Sequence, residues 1–154
     1  MIIRAAEVSE AESLVQLINA AFRIEEFFVD GDRIRLDQLR PMFAAGEFLV
    51  ADGEGAPAGC VYVEQRGDRA YFGLLSIDPA RQRTGLGSRL VDAAEHWARG
   101  RGCRFMDLRI VNLREELPGF YRRLGYVEGA TEAFPAGTPT KLPCHFVTMW
   151  KLLD

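Results

Sequence analysis

Lysine is nearly missing from this chain: of nineteen basic residues only Lys141 and Lys151 are lysine. A skew of this kind follows from codon usage as readily as from a need for bidentate anion contacts. Histidine is as scarce, and neither His96 nor His145 has partners at metal-ligand spacing, which excludes a histidine-based metal centre. The three cysteines (Cys60, Cys103 and Cys144) are far apart, odd in number and without a C-x-x-C pair, so they form neither a disulfide frame nor a zinc site. They read as small buried hydrophobes in a reducing compartment. There is no excess of positive charge: the net charge is −3 and the pI near 5.5, which leaves no footprint for nucleic acid. No apolar run approaches the ~18 residues that would span a bilayer. The first seven residues lead into an acidic amphipathic segment, unlike a signal peptide. The expectation is one cytoplasmic domain over residues 1–154, monomeric or homodimeric, with no nucleic-acid or membrane partner. Its 48% apolar and 27% charged residues suffice for a core without metals or disulfides.

The richest stretch runs from Leu74 to Leu90. It reads as an apolar strand ending at Ile77, a turn at Asp78-Pro79, a loop with two glycines, and the first turn of a helix. Gly85 and Gly87 remove side chains that would keep a ligand from the backbone. Leu86, Gly87 and Ser88 then offer unpaired N–H groups at the positive end of a helix dipole, a seat for phosphate or pyrophosphate that needs no lysine. A Walker A loop is excluded because no lysine follows either glycine. A G-x-G-x-x-G dinucleotide loop is excluded because its sixth position is Leu90 and several strands precede it. An ordinary glycine-rich strand-to-helix turn remains compatible with these residues alone.

Along the chain, residues 2–6 form a short strand. Ser9 and Glu12 read as the capping box of a helix over 10–23, with Leu14, Leu17, Ile18, Ala21 and Phe22 on one face. A short helix around Leu36–Phe43 is disturbed or started by Pro41. Strands follow at 47–51, 58–64 and 70–77, then the glycine loop and a helix closing at Gly100 or Gly102. Residues 105–111 are a strand, 118–125 a short helix with proline near its start and glycine past its end, and 126–134 and 144–152 a closing pair of strands. The fold class is α/β, an α+β mixed sheet in the order β-α-α-β-β-β-α-β-α-β-β, mostly antiparallel, with helices on both faces.

Three features together resemble the GNAT superfamily of N-acetyltransferases. Gln82-Arg83-Thr84-Gly85-Leu86-Gly87 resembles its Q/R-x-x-G-x-G/A pyrophosphate loop. Phe120-Tyr121-Arg122-Arg123-Leu124-Gly125-Tyr126 resembles its F-Y-x-x-L-G-F/Y segment, about 34 residues on. The element order is that of the superfamily over essentially the whole chain, and the tail at 131–135 and 145–151 resembles a branch of bacterial members. The resemblance implies acetyl-CoA as cosubstrate, no metal, and transfer of an acetyl group to a primary amine of a small molecule or peptide. It implies that the fourth and fifth strands splay apart, and that the backbone of Leu75, Ser76 and Ile77 meets the pantetheine arm. A bulge there would aim an N–H at the thioester carbonyl. Gly73 is compatible with such a distortion or with a packing accommodation. The resemblance also assigns Gln82, Arg83, Thr84, Gly85, Leu86, Gly87 and Ser88 to the pyrophosphate, Asn112 to the pantetheine region, and Tyr121 to protonation of the departing thiolate.

For the general base the candidates are Glu26, favoured here, Glu25 and Glu64. The acids Glu25, Glu26, Asp30 and Asp32 crowd the acceptor loop and suit an acceptor that is cationic before deprotonation. The alternatives are a CoA-binding sensor or interaction module without catalysis, and transfer of a larger acyl group.

Overall fold

The computed structural model describes residues 2–82 and 84–154. Seven strands form one sheet in the order β1-β2-β3-β4-β5-β7-β6. These are β1 (Ile3–Ala5), β2 (Glu47–Asp52), β3 (Pro57–Arg66), β4 (Arg69–Ile77), β5 (Phe105–Val111), β6 (Val127–Ala133) and β7 (His145–Leu152). All neighbours are antiparallel except β4 and β5. That parallel pair needs a crossover, which is supplied by α4 (Leu86–Gly100).

On one face α4 and α5 (Leu117–Arg123) bury Leu86, Leu90, Val91, Ala94 and Tyr121 against Val61, Val63, Phe72, Met106 and Met149. On the other, α1 (Ala11–Ala21) and α2 (Leu36–Leu39) bury Leu14, Ile18 and Leu39 against Phe48, Val50, Cys60, Tyr62 and Leu74. The two-layer cover follows from the near-continuous apolar runs of β2 (residues 48–51) and β3 (residues 58–63), which are buried on both faces of the sheet. A third, smaller cluster of Phe28, Val111 and Phe146 ties the α1–α2 connection to the far half of the sheet. There Val29 bridges Thr140, and Lys141 donates from its backbone N–H to the Phe28 carbonyl.

Two expectations change. The chain enters α1 through a 3-10 turn at Val8–Glu10, not through a Ser9–Glu12 box. The Glu7 N–H donates to Glu10 Oε1 (2.9 Å), and Arg4 holds the same carboxylate with two bonds of 2.8 Å. The Arg4 guanidinium fixes Glu10, and that shifts the start of the helix. The single helix expected around 36–43 is two short ones, α2 and α3 (Met42–Ala45), because Pro41 stands immediately before the second.

Candidate active site

β4 and β5 pair only at Arg69–Phe105, Ala70–Met106 and Tyr71–Asp107. Beyond that point β4 stays on β3 and β5 on β7, so the facing edges of residues 72–77 and 108–111 open a wedge in the middle of the sheet. Interior strand edges left unpaired present main-chain donors and acceptors to whatever fills the wedge.

Inside the wedge β4 is bulged. Tyr62 pairs with Gly73 and Cys60 with Ser76, so Leu74 and Leu75 together oppose Val61. Leu74 has φ of 54°, the one positive φ outside glycine among the described residues. A left-handed leucine costs about 1–2 kcal/mol. The bulge flips the strand's parity: Ala70 and Phe72 face α4, Leu74 faces α1, and Leu75 and Ile77 face α4 again. The Leu74 carbonyl accepts the Ser76 hydroxyl at 2.9 Å and the Cys60 thiol at 4.0 Å. Burial pushes that thiol up to about 12, so it stays a protonated donor. Because the Leu74–Leu75 peptide is trans, the Leu75 N–H points opposite to that carbonyl, away from the Cys60 thiol and the Ser76 hydroxyl. Gly73 is the packing accommodation: a Cβ there would lie 2.8 Å from the Tyr71 hydroxyl and 3.2 Å from its ring. The distortion belongs to the next residue. Its signal in the sequence was the doublet Leu74-Leu75, which breaks the alternation.

The glycine loop sits at the wedge's α4 end. Asp78 caps the turn Pro79–Arg81 through the Ala80 N–H (3.0 Å), and Thr84 Oγ1 donates to the Arg81 carbonyl (2.9 Å). Gly85 is left-handed at φ 79° and serves as N-cap without a side-chain bond, so the first N–H groups of α4 keep no capping partner of that kind. A Cβ on Gly85 would meet nothing within 4 Å and one on Gly87 only Phe120 Cζ, at 3.5 Å. The backbone is therefore open to a close ligand. Leu86 buries its side chain and can offer only its N–H, while Gln82 and Thr84 are exposed at the rim. Arg83 lies outside the described residues.

Tyr121 projects from α5 onto Phe72 and Tyr126, with ring centroids 6.0 and 6.1 Å apart. It is 5% exposed, and burial pushes its phenol up, opposed by the charge of Arg114. Arg114 also bonds Glu25 (2.9 Å) and Glu116 (3.0 Å). Glu25 is 8% exposed; burial raises its pKa, with Arg114 and Arg33 acting against that. Glu26 turns its side chain to solvent and contributes its carbonyl to Lys141 Nζ (2.8 Å). The inward carboxylate is therefore Glu25, one helical turn from the fully buried Phe28. That apolar spacing was the available signal. Glu64 is paired with Arg66 at 2.7 Å. The Asn112 carboxamide oxygen accepts the His145 N–H (2.8 Å), fastening β5 to β7 and leaving only Nδ2 to offer elsewhere. No group of three or more His, Cys, Asp or Glu among the described residues could hold a metal ion, and no helix there is long and apolar enough to cross a membrane.

The sequence profile of the Acetyltransferase (GNAT) family matches residues 11–126. The chain belongs to this family. Its stretch of 105 residues is 36% identical to glucosamine 6-phosphate N-acetyltransferase 1 of Oryza sativa subsp. japonica, covering 62% of this chain and 62% of that one. Among solved structures, smu.2055 of Streptococcus mutans UA159 superposes with a TM-score of 0.82 at 19% identity over 100% of both chains. The acetyltransferase yncA of Salmonella typhimurium, solved with acetyl-CoA, gives 0.78 at 19% identity over 100% of this chain and 94% of its own. At such identities the likeness to GNAT structures is one of fold.

Proposed function

We propose that the protein is an acetyl-CoA-dependent N-acetyltransferase acting on a primary amine. The observation that carries this is the wedge between β4 and β5, with the Leu74–Leu75 bulge on its edge and the start of α4, which has no side-chain cap, at its end. The N–H groups of Leu86, Gly87 and Ser88 hold the pyrophosphate at the positive end of the α4 dipole, with Gln82 and Thr84 at the rim. The open edge at Leu75, Ser76 and Ile77 pairs with the pantetheine amides, and Ser76 locks the bulge that aims the Leu75 N–H at the thioester oxygen. That donor stabilises the negative charge which develops there as the amine attacks. Asn112 keeps β5 in place and has its Nδ2 amide group free to donate to the arm.

As the new C–N bond forms and the C–S bond breaks, two protons move. The amine loses one to a carboxylate, and Glu25 is better placed than Glu26: it is drawn into the cleft and its pKa is raised. Arg114 opposes that rise. The departing sulfur takes the other from Tyr121, whose buried phenol stays protonated at neutral pH. The rice relative is named for an amine substrate, which supports an amine acceptor here.

The test is release of free CoA thiol from acetyl-CoA in the presence of polyamines, aminoglycosides, amino acids and N-terminal peptides. Thermal stabilisation by acetyl-CoA, ATP and NAD is measured alongside. Thiol release with at least one amine, and stabilisation by acetyl-CoA above the other two, supports the reading. Stabilisation without release from any amine makes the protein a CoA-binding module. A larger shift with NAD removes CoA from the account.

A further inference from the structure

The acceptor side of the wedge faces α1 and the α1–α2 connection, and its charges are unevenly matched. The acids are mostly occupied: Glu25 and Glu116 both bond Arg114, and Asp30 faces Lys141 at 3.6 Å. Two guanidinium groups are less well matched: one has no carboxylate partner and the other a single exposed one. Arg33 has no carboxylate within 4 Å among the described residues, although Glu26 and Asp32 line the same small cavity with it. Its guanidinium lies over the Phe22 ring, 5.4 Å from the centroid. The residue keeps exposed surface, yet protein crowds its charged end enough that desolvation lowers its pKa, with Glu25, Tyr71 and Arg109 in electrostatic reach. Arg109 extends from β5 on the same face as Asp107. It lies over the Phe146 ring at 4.3 Å, and its one carboxylate partner is the exposed Glu132 at 3.7 Å. Tyr71 lies against Gly73, two positions on along the same face, its hydroxyl 2.8 Å from where a Cβ there would stand.

A partly desolvated arginine without a counter-ion is unfavourable by itself, and its planar fork matches a carboxylate or phosphate in two bonds. Glu25 lies beside these arginines outside ion-pair distance of Arg33, so the two signs stand apart, as they do on a zwitterion. We infer that the acceptor carries an anionic group close to its amine, the amine turning to Glu25 and the anion, carboxylate or phosphate, to Arg33 and Arg109. This rests on the acetyl-transfer reading of the cleft. In the acidic loop that suggested a purely cationic acceptor, two of the four acids, Glu25 and Asp30, are paired internally.

The probes are ethylamine, ethanolamine, β-alanine and ethanolamine phosphate, titrated into the CoA-saturated protein and followed by backbone amide shifts. The same four are then offered with acetyl-CoA for thiol release. β-Alanine or ethanolamine phosphate should bind at least about tenfold more tightly than the two uncharged-tail amines, the scale of one charge-assisted contact. Which of the two leads separates carboxylate from phosphate. Arg33→Gln and Arg109→Gln should each bring that preference close to one, and Arg33→Lys should restore part of it. Equal binding of all four amines, or a preference that survives both glutamine variants, overturns the inference. Selective binding without thiol release sinks the catalytic reading and leaves this one standing. Release from all four amines at similar rates does the reverse.

Discussion

Replacing Gly87 by alanine should move stability and cofactor affinity in opposite directions. Gly87 is the second residue of α4 and has ordinary helical geometry; only Gly85 before it is left-handed. A Cβ at position 87 would stand 3.5 Å from Phe120 Cζ, a normal contact that requires no repacking. Alanine in a helix is favoured over glycine by up to about 1 kcal/mol, less in the first turn, so the free protein should gain roughly 0.5 kcal/mol. For a chain of this size that is about 1–2 °C in Tm. The methyl group would stand on the surface where a pyrophosphate meets the N–H groups of Leu86, Gly87 and Ser88. Losing or stretching one such charge-assisted bond costs about 1.5–3 kcal/mol, or roughly ten- to hundredfold in affinity. Thermal melts without ligand and calorimetric titration with acetyl-CoA measure the two effects on the same samples. Unchanged affinity in a variant at least as stable as the parent would refute the placement of the pyrophosphate. A loss of both together would mean that the glycine serves packing alone.

Other consequences can be measured separately. Tyr121→Phe keeps the ring's contacts with Phe72 and Tyr126; it should leave acetyl-CoA binding intact and lower kcat by roughly 10²-fold in single-turnover assays, the scale of a lost general acid. Lys151→Met removes bonds of 2.9 and 3.2 Å from the 4% exposed Glu95 side chain, which keeps the Tyr126 hydroxyl at 2.8 Å and Arg99 at 3.5 Å. Weaker compensation of that buried carboxylate should cost about 2 kcal/mol, roughly 4–8 °C in Tm, and adding Glu95→Gln should return part of it. Arg4→Gln should destabilise the protein in a pH-dependent way. Arg4 and the Glu7 backbone hold the Glu10 carboxyl at about 2, well below its ordinary 4.5. That stability is present above about pH 4.5 and is lost as pH falls toward 2, so denaturation curves of parent and variant should converge over that range.

The order of strands and helices was legible because period-2 and period-3.6 patterns alternate cleanly, and turn residues mark nearly every boundary. The open backbone at Gly85 and Gly87 was legible because its reason is local: the absence of a Cβ. What stayed hidden depends on contacts between distant segments. Arg4 reaches Glu10 and Asp52, and that fixes where α1 begins, which no capping pattern in residues 9–12 encodes. Glu25 and Glu26 are adjacent acids, and only the burial of Phe28 against Val111 and Phe146 decides which one turns inward. Arg114 bonds a carboxylate 89 positions away. Nothing local marks Asn112 as the residue whose carboxamide oxygen fastens β7. The bulge lay one residue beyond the glycine that hinted at it.

Amide mapping of the labelled protein with acetyl-CoA and with free CoA tests the central arrangement most directly, because it asks whether one ligand joins the start of α4 to the open edge of β4. Both ligands should shift the amides of Leu86, Gly87 and Ser88 together with those of Leu75 and Ile77. Acetyl-CoA alone should add a further shift at Leu75, the proposed donor to the thioester oxygen. Shifts confined to the helix start, or an identical Leu75 response to both ligands, would contradict the account.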